Sequence, residues 1–224
     1  MPNNQGFDYN VDIAMCIDAT GSMGSIINDV KKNALSFYQK FVDAMEREDK
    51  PVEQLRVKVI AFRDYGRDAE PMKESRFFVL SEEGEREEFH KFVEDIQATG
   101  GGDIPENSLE ALAIAMKSDW VRTGSKRRHV IILWTDAPAL DLSARRSCPN
   151  YPEDMPADFA ELHELWEGQE MELKAKRLLL FAPDAEPWSD MVDWVNAIQQ
   201  QSKAGQGCSD SDIDACIHLL VNSI

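Results

Sequence analysis

The chain has no apolar run that approaches the roughly 20 residues a membrane-spanning helix needs. Its first ten residues, MPNNQGFDYN, are polar and lack the basic-then-apolar order of a signal peptide, so a cytoplasmic product is expected. Cysteine is scarce, with four in 224 residues and no CxxC spacing. Cys16 falls in an apolar strand, Cys148 on a loop, and Cys208 and Cys216 flank the start of the last helix. Reduced thiols rather than a zinc site are the expectation. Basic charge is short as well, with 24 Lys and Arg against 41 Asp and Glu and a net charge of -17. Binding to nucleic acid or to an anionic membrane needs clustered Lys and Arg to neutralise phosphate, and this balance argues against both. The one basic patch, Arg122, Lys126, Arg127 and Arg128, reads as serving solubility or a separate contact. No GxxxxGK[ST] loop is present to cradle nucleotide phosphates. Nor do His90, His129, His163 and His218 stand in a motif with a Ser or Cys nucleophile. Internal repeats, low-complexity stretches and dividing linkers are missing too.

What is present is one sizeable core's worth of alternating strands and helices, expected as a single domain over 1–224 with a polar lead at 1–9. The apolar patterns predict strands at 11–18, 54–64, 76–80, 127–136 and 176–184. Helices are expected at about 22–46, 82–97 and 105–120, with Pro105 in the first turn of the third. Two more should follow at about 187–201 and 209–222, the last capped by Ser209 or Asp210. The connection at 137–170 is longer than such links usually are and reads as a loop and helix insertion. Within this region and beyond it, Trp166 and Trp188 read as packing residues. Such alternation predicts an α/β fold, Rossmann-like, with a mostly parallel central sheet, one antiparallel edge strand at 76–80 and helices on both faces.

The run VDIAMCIDATGSM carries most of the chemistry. An apolar strand ends in Asp18, and Thr20 and Ser22 follow at alternate positions on a tight loop that Gly21 allows to turn. One charged and two neutral oxygen donors converging on a point suit a hard cation. Asp followed by Ser or Thr is also ordinary turn and N-cap chemistry, so the triplet alone would say little. Two further acidic positions belong to the same edge. TGGGDIPENSLEAL places Asp103 and Glu106 in a glycine-rich loop before a helix, and HVIILWTDAP ends an apolar strand at Asp136. Parallel strands bring their C-terminal ends to one side of the sheet, where ligands bind.

In this order, the three parts resemble the von Willebrand factor A (vWA) domain and its metal-ion-dependent adhesion site. Asp18-Ala19-Thr20-Gly21-Ser22 matches the family's Asp-x-Ser-x-Ser with Thr in the first hydroxyl place, and Asp136 matches the Asp after the fourth strand. The middle loop is similar to the Asp-x-Pro-Glu loop of integrin β I-like domains. That likeness implies Asp18, Thr20, Ser22, Glu106 and Asp136 as ligands of Mg²⁺ or Mn²⁺, with Thr99 as fallback if the loop follows the Thr-type pattern. It also implies a possible second divalent cation such as Ca²⁺ at Asp64, Asp103 and Glu106. Gly101, however, stands where that pattern has an Asn, and Ser25-Ile26 does not supply the acidic pair of the other flanking site.

Like charges about 5 Å apart repel by roughly 3 kcal/mol per pair at an effective dielectric near 20, so a divalent ion would relieve Asp18, Glu106 and Asp136. In the family the ion's exchangeable position receives an acidic side chain of a protein partner. The resemblance therefore implies a non-catalytic interaction module, a scaffold or regulator of the kind found in solitary bacterial vWA proteins, that binds an Asp or Glu carboxylate. The alternative is a Mg²⁺-dependent phosphohydrolase. Phosphoaspartyl enzymes carry DxD at the strand end, and Thr20 cannot act there as acid or base.

Overall fold

Apolar strands alternating with amphipathic helices can bury both faces of a parallel sheet only by winding the helices over each side. The computed structural model, which describes residues 8–100, 105–201 and 212–224, shows this arrangement. Along the chain come β1 (Tyr9–Asp18), a 3₁₀ turn (Gly21–Met23), α1 (Gly24–Arg47), β2 (Val52–Phe62), β3 (Met72–Glu74) and β4 (Phe78–Val79). They are followed by α2 (Glu83–Glu94), α3 (Ser108–Met116), β5 (Lys126–Trp134), α4 (Phe159–Glu167), β6 (Lys176–Ala182), α5 (Trp188–Met191), β7 (Ala197–Gln201) and α6 (Asp212–Ser223).

The sheet runs β3-β2-β1-β5-β6-β7, and β4 also pairs with β2. β1, β2, β5, β6 and β7 are parallel neighbours, whereas β3 and β4 both run antiparallel to β2. The expected antiparallel edge at 76–80 is thus made of two short pieces. β1 is buried at every position, as a central strand covered on both faces must be. Val11, Ile13, Met15 and Ile17 point into a core with α1, α2 and α6. Ala14 and Cys16 point the other way, into a core with α3, α4 and α5. Trp166 and Trp188 sit in that second core, as the sequence suggests.

Three expectations need correction. Strand β1 begins at Tyr9, so part of the polar lead is buried strand. The helix expected at 187–201 is a short α5, after which Asn196 takes a left-handed conformation with φ 61°. Its carbonyl accepts from Leu178 N, and the chain continues as β7 parallel to β6. The helix expected at 105–120 begins only at Ser108, for a reason that matters to the site below. The expected caps Ser209 and Asp210, like Cys208, lie outside the described residues.

The basic patch lies at the N-terminal end of β5 and is absorbed by structural contacts. Arg127 pairs with Glu172 at 2.6 Å, Arg128 donates to the main-chain oxygen of Ile224, and Arg122 donates to those of Gln169 and Glu170. Among the described residues no helix is long and apolar enough to cross a membrane.

Ile13 is fully buried in the middle of the central strand. Ile13→Ala should cost about 2–5 kcal/mol of stability, measured by urea unfolding, because a cavity between β1 and α1 cannot collapse.

Candidate metal centre

The order of strands reverses about β1 and β5, and the crevice beyond their C-terminal ends is where an open α/β sheet places a ligand. Register decides which side chains meet there. Asp18 is opposite Phe62 of β2, and Ile17 is opposite Trp134 of β5, so the residues following Trp134 arrive beside Asp18.

Asp18 is fully buried. The loop after it folds back, and Thr20 donates to Asp18 Oδ1 from both its backbone N (3.0 Å) and its Oγ1 (2.6 Å). Ser22 stands in the 3₁₀ turn ahead of α1, is exposed, and donates to Asp136 Oδ1 at 3.0 Å. Thr20 Oγ1 and Ser22 Oγ are 3.5 Å apart. Asp136 is itself buried. The structure therefore brings Asp18, Thr20, Ser22 and Asp136 into one connected group of oxygens, with Ser22 on the solvent side.

The sequence reading missed Thr135. Its hydroxyl donates to Asp18 Oδ2 at 2.8 Å and accepts from Ala137 N at 3.1 Å. This holds the second oxygen of Asp18 and shapes the turn that presents Asp136. A hydroxyl immediately before a strand-end Asp was the available signal.

Glu106 reaches the same edge by a different route. Its N–H donates to Pro138 O and its C=O accepts from Leu140 N, a one-residue parallel bridge to Ala139. That bridge keeps Pro105 to Asn107 out of α3, which is why Pro105 is not in the helix's first turn. Glu106 is 3% exposed, and among the described residues its buried Oε2 has no hydrogen-bond partner. Burial, then the charges of Asp18, Asp64 and Asp68, push its carboxyl up to about 8. Burial also pushes Asp18 up to about 6, against the pull of the Thr20 and Thr135 hydrogen bonds.

The other expected ligands fare differently. Thr99 is exposed and lies beside the loop after β1 through its backbone, donating from N to Ala19 O. Asp103 lies outside the described residues. Asp64 is buried, but both its oxygens are held by Arg145 of the insertion, Nε to Oδ1 at 2.5 Å and Nη2 to Oδ2 at 2.6 Å. Arg63, also missed, clasps the edge from below. Its guanidinium donates to the carbonyls of Ala19, Thr99, Glu70 and Gln97, and so ties three loops together.

Among the described residues no three Asp, Glu, His or Cys side chains form a ready cage. The convergent donors are instead two carboxylates and two hydroxyls, with the orphaned Glu106 oxygen nearby. All are hard oxygens that suit Mg²⁺ or Mn²⁺, and an unpartnered buried carboxylate oxygen is the kind of group a cation satisfies. The residues present therefore fit such an ion.

A match to the von Willebrand factor A domain model extends over residues 12–151, and the chain belongs to that family. No curated protein sequence matches it. Among solved structures it is similar to the pilus adhesin SpaC of Lactobacillus rhamnosus GG in an open conformation. That likeness has a TM-score of 0.59 at 11% identity and covers 96% of this chain and 30% of the adhesin. A second structure of the same adhesin gives 0.57 at 12% identity with the same coverage. The chain thus spans about a third of the adhesin's length, and the likeness is one of fold.

The raised carboxyls set a pH dependence. Above their ordinary values of 4.5 and 3.8, Glu106 and Asp18 bind more protons folded than unfolded, so stability falls as pH rises. In EDTA the melting temperature should drop between about pH 5 and about pH 8, and Glu106→Gln should remove much of that slope. A flat profile in the wild type would contradict the crowding described here.

Proposed function

We propose that this chain is a divalent-metal-dependent protein-interaction module. Asp18, Thr20, Ser22, Glu106 and Asp136 hold one Mg²⁺ or Mn²⁺, and the ion's exchangeable position takes an Asp or Glu carboxylate of a partner protein. The observation that carries this reading is the buried Oε2 of Glu106, which has no hydrogen-bond partner among the described residues and whose carboxyl feels the charge of Asp18, together with the linked oxygens of Asp18, Thr20, Ser22 and Asp136. Family membership and the shared fold of a pilus adhesin support an interaction role. A chain with a net charge of -17 has little attraction for an acidic partner by itself, so the ion supplies the positive charge that makes such a contact favourable.

We read the module as a scaffold or regulator without catalysis of its own. The four histidines, the commonest acid–base groups, have other engagements. His129 is buried at the opposite end of β5 against Trp120, with Nε2 2.8 Å from Val121 O. His90 and His163 face Glu94 and Glu167 one helical turn away, and His218 meets Asn222.

Calorimetry with Mg²⁺ and Mn²⁺ tests the reading. The wild type should bind saturably, Asp18→Ala should not, and Thr135→Val should weaken binding by about 10–100-fold through loss of the hydroxyl that orients Asp18. In lysate pull-downs, partners should elute with EDTA and be missing with Asp18→Ala. No binding to the wild type at millimolar metal would contradict the proposal.

A further inference from the structure

The C-terminal edge of the sheet gathers Asp18, Asp64, Asp68, Glu106 and Asp136, and besides the local Arg63 and Arg67 a cation reaches in from far along the chain. Arg145 belongs to the 137–170 insertion, where Ser143 N donates to Asp141 Oδ1 at 2.8 Å and Cys148 N to Arg145 O at 2.8 Å, a pair of turns that aim the side chain at the edge. Its guanidinium engages Asp64 by two parallel hydrogen bonds, the fork geometry in which Arg binds a carboxylate most selectively. Asp64 is 3% exposed and Arg145 only 25%, so water screens this pair weakly.

Space for Arg145 is built into the turn beneath it. Gly66 donates its N–H to Asp64 Oδ1 at 2.6 Å, and a Cβ at Gly66 would lie 2.7 Å from Arg145 Nε and 3.1 Å from its Cδ. A side chain at position 66 would therefore displace the guanidinium. Burial alone would raise the Asp64 carboxyl, but the Arg145 contact, the Gly66 N–H and the charge of Arg67 outweigh it and hold the group below the ordinary carboxylate range. Arg145 is also a cation whose charge acts on Glu106, offsetting part of what Asp18, Asp64 and Asp68 do to it.

The geometry points to Arg145 as a tethered cation. It occupies Asp64, one of the carboxylates that the integrin-like resemblance implies for a second divalent ion, so the chain takes one exchangeable ion at this edge and no second. The insertion thereby does a cofactor's work at Asp64, neutralising that carboxylate permanently. For the first ion this rests on the interaction-module reading above. The claim about Arg145 itself does not, because it concerns a difference between variants.

The test is the number of Mn²⁺ ions bound at millimolar concentration, read from the electron paramagnetic resonance signal of free Mn²⁺. The proteins are the wild type, Arg145→Ala, Arg145→Lys and Asp64→Asn/Arg145→Ala, each shown to melt cooperatively in EDTA. Arg145→Ala should bind one ion more than the wild type. Arg145→Lys, which keeps the charge, should bind the wild-type number, and so should the double variant, which removes the exposed carboxylate. If Arg145→Ala does not melt cooperatively, Arg145→Gln replaces it under the same criterion. A wild type that binds none, with a rise to one in Arg145→Ala, would overturn the interaction-module reading and uphold this one. Equal counts in the wild type and Arg145→Ala would overturn it.

Discussion

Crowded carboxylates at the C-terminal edge of a parallel sheet are the constraint that shapes this molecule. Asp18, Asp136 and Glu106 are each at most 3% exposed, and burying like charges together is costly unless something of opposite sign or a set of donors compensates. The chain supplies part of that compensation locally. Thr20 and Thr135 hydroxyls donate to the two oxygens of Asp18, and Ser22 donates to Asp136. Arg63 donates to four backbone carbonyls and so fixes the loops that carry these donors.

The opposite edge of the same sheet shows how this chain treats an acid that has only a structural task. Asp12 is as buried as Asp18, yet Arg56 meets both its oxygens, at 2.8 and 2.5 Å, and Val121 N adds a third bond. At the C-terminal edge the corresponding pairing is given to Asp64, through Arg145, and not to Glu106. That contrast between two ends of one sheet is the argument for function. Asp12 and Asp64 each have an arginine on both oxygens, whereas among the described residues Glu106 Oε2 has no hydrogen-bond partner, and that is the opening the proposed cation would fill.

Much of this was readable from the residues. The loop after β1 and the Asp after β5 are local patterns, a strand followed at once by oxygen donors, and local patterns survive folding. The helix expected over 187–201 failed because AIQQQ has no strand alternation of its own. Its strand state comes from pairing with β6 after Asn196 turns the chain. Pro105 and Glu106 looked like a helix start because their neighbours do, and a bridge to Ala139, 33 positions away, decides otherwise. The Asp64–Arg145 pair spans 81 positions and had no signal at either end, since an Asp before Tyr-Gly reads equally well as a turn cap. Long-range pairing is what sequence periodicity cannot carry.

Anomalous diffraction from crystals soaked in Mn²⁺ tests the central claim most directly. The account predicts one strong peak within coordination distance of Asp18, Ser22 and Asp136, with Glu106 turned toward it, and none at Asp64. A peak at Asp64 with Arg145 displaced, or no peak at the Asp18 edge, would contradict it.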